Sequence, residues 1–316
     1  SAPSSIQVQS EPPILRDQPM PPTLTEVHPP IPLCELVSAL AGFASLPAPQ
    51  KLALVDRLVA AHPIVSMDWG AGWRFRRARL LGADEIPATV DEVIWRKGVP
   101  ARIGRANPAG FQVLYLADRP DTAFQEILHH APQDASSPHT MMLAEFVIHD
   151  DCRVRIAPVG ELSQIQRTGR GFLAGDASQH LSNLLNACSL DDAKALLITD
   201  SFLLQCLTNG ANDYGLSSHV AMSIFAKLPT VSTIAYPSVR QLGAINLAVR
   251  TETFWNDWGL RSVRRGRAEH LAQGFYRFSD VRHVDGITVD GALRWREDPD
   301  VENSVVVLGP AWTPSA

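Results

Sequence analysis

Cysteine is scarce and scattered: Cys34, Cys152, Cys188 and Cys206 are the four in 316 residues. None stand in CxxC spacing and no paired histidines lie close by, which argues against a zinc site or a disulfide framework and for a reducing compartment. Long apolar runs are missing as well. No stretch approaches the roughly 20 residues that a membrane-spanning helix needs, and the N-terminal residues lack the charged-then-apolar pattern of a signal peptide. The expected location is the cytoplasm, with no membrane partner. Net positive charge is lacking too: the formal net charge is −5, whereas a general nucleic-acid surface depends on clustered Lys and Arg. Finally, there is no Walker loop, no GxGxxG after a strand, no HExxH and no GxSxG elbow, so no standard signature names an enzyme class.

What is there is an ordinary globular composition, with 45% hydrophobic and 19% charged residues. A chain of this length can bury a sizeable core. Residues 1–32 recur to proline too often for a helix or a ladder to persist, and read as a tail. From Leu33 to about Ala61 apolar residues return at helical spacing around a break at Leu46-Pro47-Ala48-Pro49, which predicts two short helices in an extension over 33–68. Trp73 to Leu80 suits a first strand. Gly104 to Gly110 is turn-rich, Gln112 to Ala117 reads as a strand and Asp121 to His130 as a helix. Further on come a strand at Met141–Ile148, helices at Ser178–Ala187, Asp191–Leu207 and Tyr214–Lys227, and strands at Val231–Tyr236 and Ala244–Val249. Interleaving of this kind predicts an α+β main domain over 69–290, followed by a tail over 291–316.

The polar residues with chemical promise crowd into one stretch, with Arg105 on the loop, Tyr115 on the strand and Glu126 on the helix. Loop, strand and helix can converge there. This stretch, from Gly104-Arg105-Ala106-Asn107-Pro108 through Val113-Leu114-Tyr115-Leu116-Ala117 to Thr122-Ala123-Phe124-Gln125-Glu126, resembles the RES domain family, named for Arg, Glu and Ser. The segment Ile234-Ala235-Tyr236-Pro237-Ser238-Val239-Arg240 resembles the family's Tyr-Pro-Ser segment. Phe75-Arg76-Arg77-Ala78-Arg79 resembles its first strand, with Arg77 the nearest equivalent of that strand's arginine. The likeness covers roughly residues 73 to 250.

The resemblance implies a mixed-sheet fold similar to ADP-ribosyltransferase toxins. It also implies an NAD⁺ phosphorylase or glycohydrolase that acts as the toxin of a toxin–antitoxin pair, with NAD⁺ as substrate and inorganic phosphate as a possible co-substrate. The partner it implies is a helix-turn-helix antitoxin of the Xre type or another neutralising protein, and a homodimer is possible. A protein mono-ADP-ribosyltransferase using the same cleft is the alternative, and a non-catalytic nucleotide-binding module the third reading. The chain is longer than the compact toxins of the family, which weakens the antitoxin inference in particular.

The chemistry of the residues agrees. Breaking the bond between nicotinamide and ribose passes through an oxocarbenium-like sugar, which a carboxylate at its side stabilises. Glu126 is the candidate. Arginine's planar fork matches phosphate oxygens, so Arg105 and Arg77 would hold the pyrophosphate. Tyr115 and Tyr236 would contact the nucleotide, and Ser238 a ribose hydroxyl or an incoming phosphate. The bland alternatives are a turn arginine at 105, a solvated helix glutamate at 126, a core tyrosine at 115 and a salt-bridged arginine at 77. Arg74, Arg76 and Arg79 leave the register of that first strand open. His129-His130 and Asp150-Asp151 point in different directions as neighbours on one element and are read as non-ligands. The basic run Arg261 to Arg267 is read as a solvated face or a surface for an acidic partner.

Overall fold

A computed structural model describes residues 21–95, 99–128, 138–172, 176–208 and 214–297. Most of residues 1–32, the pair His129-His130 and the chain after Glu297 therefore lie outside the described residues. Within them the chain is α+β, as the alternating pattern predicts. Ten strands form one sheet, β1 (Met67–Trp69), β2 (Arg74–Leu80), β3 (Val113–Ala117), β4 (His139–Ile148), β5 (Val154–Pro158), β6 (Thr233–Pro237), β7 (Ile245–Arg250), β8 (Trp258–Ala272), β9 (Phe275–Ile287) and β10 (Leu293–Glu297). Their spatial order is β1-β5-β6-β7-β3-β2-β4-β8-β9-β10, antiparallel everywhere except between β5 and β6.

The helices are α1 (Leu24–Val27), α2 (Leu33–Ala41), α3 (Ala48–Ala61), α4 (Val90–Ile94), α5 (Pro120–Leu128), α6 (Glu161–Thr168), α7 (Ala177–Asn186), α8 (Leu190–Thr208), α9 (Tyr214–Lys227) and α10 (Phe254–Asp257). Strand residues alternate between faces, and β3 divides its side chains accordingly. Leu114 and Leu116 enter a core with Phe75, Phe146, Leu247 and Trp258. On the other face Val113 joins Ile234 and Ala248 under α3, α8 and α9, while Ala117 joins Ala78 and Leu143 under Phe124 of α5.

Two readings need correction, one at each end of the described chain. The proline-rich stretch does hold a turn of helix, α1, because Thr23 and Glu26 form a reciprocal capping box that satisfies the first backbone amides locally. The helices expected over residues 33–61 are present and pack on the sheet. Leu36, Val55, Leu58 and Val59 share one apolar cluster with Val113, Ile234 and Ala248 of the sheet. The basic run Arg261 to Arg267 is the middle of β8, paired with β4 along ten residues of that strand from His139 to Ile148, with Arg261 and Arg267 exposed. Val263 is buried there and Arg265 Nε donates to the Glu85 carbonyl at 2.9 Å. The sheet then runs on to Glu297, well into the stretch read as a tail.

The seam between α3 and α9 carries a titratable group. Lys227 Nζ donates to the carbonyls of Val59, Ala60 and His62 at 2.8, 2.9 and 2.6 Å. His62 is buried, and burial, helped by the nearby Lys227 charge, holds its pKa down to about 3. The unfolded chain takes up this proton near pH 6.5, the folded chain only near 3. His62's contribution is therefore complete above about pH 6.5 and falls by about 1.4 kcal/mol per pH unit as the medium is acidified. Urea midpoints measured between pH 7.5 and 5 should drop steeply, and His62→Leu should flatten that slope. An unchanged slope would show that other groups govern the acid limb.

Candidate active site

The cleft arises where two neighbouring strands part. β3 pairs with β7 from Val113 to Ala117, and β2 pairs with β4 from Arg74 to Leu80, but β2 and β3 meet in register only at Arg76 and Ala117. A cavity of about 210 Å³ opens at the parting, lined among others by Arg77, Arg105, Tyr115, Glu126, Tyr236 and Asn246. Five of the six residues singled out in the sequence thus share one wall. Ser238, the sixth, stands behind Glu126.

Glu126 reaches the cavity from α5, whose Phe124 anchors the helix on the sheet. Its Oε1 accepts from Ser238 Oγ at 2.9 Å and from Asn246 Nδ2 at 2.7 Å. Both donors are neutral side chains, and together they hold the carboxylate through one oxygen. Among the described residues Oε2 has no partner. Ser238 Oγ also accepts from the amides of Arg240 and Gln241 at 3.1 and 3.3 Å. One donor and two acceptor sites exhaust a hydroxyl. Ser238 thus ties Glu126 to the turn that carries Arg240 and Gln241.

Arg105 and Tyr115 also have structural partners. Tyr115 Oη donates to Asn107 Oδ1 at 2.7 Å and accepts from the Ala106 amide at 2.8 Å, which pins the loop carrying Arg105 to β3. Gly104 is needed at that contact: a Cβ there would lie 2.7 Å from Tyr115 Oη and 2.6 Å from Asn107 Oδ1. Arg105 Nη1 donates to the carbonyls of Leu207 and Thr208, the end of α8, where a cation also complements the helix dipole. Burial raises the phenol pKa values of Tyr115 and Tyr236, and Arg105 opposes both shifts. Both hydroxyls stay protonated at neutral pH and serve as neutral hydrogen-bonding groups.

Arg77 differs from its neighbours. Arg76 pairs with Glu145 at 2.7 Å, Arg79 with Glu85 at 3.4 Å, and Arg74 reaches Glu145 at 4.0 Å. Arg77 meets no carboxylate among the described residues and its buried Nε has no hydrogen-bond partner. Desolvation, followed by repulsion from Arg79, lowers its pKa to about 10, with Tyr115 acting the other way. It remains charged at pH 7. Its partly buried guanidinium lines the cavity without a carboxylate beside it among the described residues.

Asn246 is the residue that sequence reasoning missed. It is a buried polar side chain in the otherwise apolar strand Ile245-Asn246-Leu247-Ala248-Val249, and a buried amide requires a partner. That signal was available, although the identity of the partner was not. Asp150 and Asp151 lie at the turn between β4 and β5, and no group of three or more His, Cys, Asp or Glu among the described residues could hold a metal ion.

A model of one protein family, described as the RES domain, matches residues 73–257, more than half of the chain. The match begins at the edge of β2, takes in all the cavity residues named above and ends before β8. No curated protein matches the chain.

Proposed function

The chain belongs to the RES domain family, and from that premise and the geometry of its cleft we propose that it degrades NAD⁺ by breaking the bond between nicotinamide and ribose. The observation that carries the reading is Glu126, a carboxylate held through one oxygen by Ser238 and Asn246, its second oxygen without a partner among the described residues, beside a cavity that Arg77 and Arg105 also line.

The C–N bond breaks with its electron pair going to the pyridinium nitrogen, so nicotinamide leaves neutral and needs no proton from the enzyme. Positive charge gathers on the ribose carbon. Glu126 Oε2 is suited to stabilise that charge, because the clamp fixes it before the reaction and no solvent reorganisation is needed during it. Arg77 is suited to the pyrophosphate, which would supply the counter-charge that its surroundings lack. Ser238, Asn246 and Tyr115 are positioning residues. The sugar cation is captured either by phosphate, giving ADP-ribose 1″-phosphate, or by water, giving ADP-ribose and a proton.

Incubation of the purified chain with NAD⁺, with and without phosphate, followed by mass analysis of products, tests this. Free nicotinamide is expected together with one of the two ADP-ribose products. Label transferred to protein would instead favour a mono-ADP-ribosyltransferase in the same cleft, and intact NAD⁺ under both conditions would end the proposal.

A further inference from the structure

A second cavity, of about 490 Å³, adjoins the first. The two lobes share Arg77, Ala78, Gly104, Tyr115 and Ile127 as lining residues, so Arg77 borders both. Their linings differ in chemistry. The first lobe holds Glu126; the second has no carboxylate among its lining residues and is walled by Trp95, Val99, Pro100, Ile103 and the guanidinium-bearing Arg102. Trp95 is anchored by its own indole, whose Nε1 donates to the Val99 carbonyl at 2.7 Å. That bond fixes one edge of the ring and ties Val99 to it. Val99 and Ile103 are partly exposed, 42% and 45%, and present apolar surface to whatever fills the lobe.

Resting on the NAD⁺-cleaving reading of the first lobe, we infer that the second lobe binds the adenosine half of the dinucleotide, with Trp95 and Ile103 as its apolar walls. The two ends of NAD⁺ are electrostatically unlike. The nicotinamide ring carries a positive charge, which Glu126 attracts in the first lobe, whereas the charged side chains lining the second are arginines alone, Arg79 and Arg102 beside the shared Arg77. Adenine is neutral, flat and aromatic, and indole walls favour such rings at about 1–3 kcal/mol per stacked base. With the ends so oriented the pyrophosphate spans the junction beside Arg77, the one cation of β2 that lacks a carboxylate among the described residues. The cleft then selects a dinucleotide over the mononucleotide that carries the same scissile bond.

Calorimetric titration with AMP tests the lobe without requiring any reaction. Wild-type protein should bind AMP, and Trp95→Ala should weaken it by about 10-fold to 100-fold. Trp95→Phe should restore most of the affinity. Because Trp95 also packs against the core, a second variant guards against a folding defect: Ile103→Glu sets a carboxylate at a partly exposed wall and should weaken AMP at least 10-fold without lowering Tm. In turnover, Trp95→Ala should raise KM for NAD⁺ by a similar factor with kcat unchanged, and leave cleavage of nicotinamide mononucleotide untouched. No binding of AMP to the wild type, or equal binding by wild type and both variants, would overturn the assignment. AMP binding as described without NAD⁺ cleavage would instead sink the reading of the first lobe and leave the second standing.

Discussion

Glu126→Gln is expected to lower kcat for NAD⁺ cleavage by about 100-fold to 1,000-fold, with KM changed no more than a few-fold. The substitution removes the negative charge and little else. The glutamine carbonyl can still accept from Ser238 Oγ and Asn246 Nδ2, which approach Glu126 Oε1 at 2.9 and 2.7 Å, so side-chain position and stability should both persist. What is lost is chiefly attraction to the positive charge that moves onto the ribose carbon in the transition state, and such losses fall on kcat. Ser238→Ala should do less, since Asn246 continues to hold the carboxylate. If the glutamine variant kept wild-type kcat, the carboxylate would have no electrostatic part in the reaction. A rise in KM alone would make Glu126 a binding residue. Expression in a bacterial host offers a second readout: growth arrest by the wild type and none by the variant.

Arg105, Tyr115 and Glu126 could be read from the chain because they lie on a contiguous loop, strand and helix. Any β3–α5 unit that packs its helix on the sheet brings them close. Arg77 could not be singled out among four arginines, because the distinction lies in partners far along the chain, Glu145 on β4 and Glu85 beyond β2. The role of Ser238 was hidden for a related reason. A hydroxyl's use depends on which neighbours fill its sites, and neither Ser238 nor Asn246 was visible as a neighbour of Glu126, from which they stand 112 and 120 residues away along the chain. Strands β8 to β10 were obscured by their arginines. Trp258 to Ala272 breaks strict alternation because several of its cations are satisfied by carbonyls and carboxylates across the sheet, as Arg265 is by Glu85 and Arg261 by Glu145 at 3.3 Å. A periodicity reading assumes that charged residues face water. Here ion pairs and carbonyl contacts allow them to lie flat on the sheet.

Arg77→Met is expected to move stability and binding in opposite directions. In the free protein the guanidinium is partly buried, its Nε has no partner among the described residues, and desolvation has brought its pKa down from the ordinary arginine range to about 10. Folding therefore keeps a cation where it is poorly solvated and uncompensated. A methionine of similar length and no charge should relieve that cost, by about 1 kcal/mol or more on the scale seen when buried charges give way to apolar side chains, and raise Tm by a few degrees. The same change removes the cation proposed for the pyrophosphate. A hydrogen bond to a charged group contributes about 1.5–3 kcal/mol, so affinity for ADP-ribose should fall by about 10-fold to 100-fold. Thermal melts with and without saturating ADP-ribose make both signs visible at once, since a ligand stabilises only the protein that binds it. The variant should melt higher alone, and the wild type should gain the larger increment on adding ligand. A variant that melts lower in the free state would mean that Arg77 supports the fold through contacts of its own. An equal ligand increment in both proteins would take the pyrophosphate away from β2 and leave Arg105 as the cation that holds it.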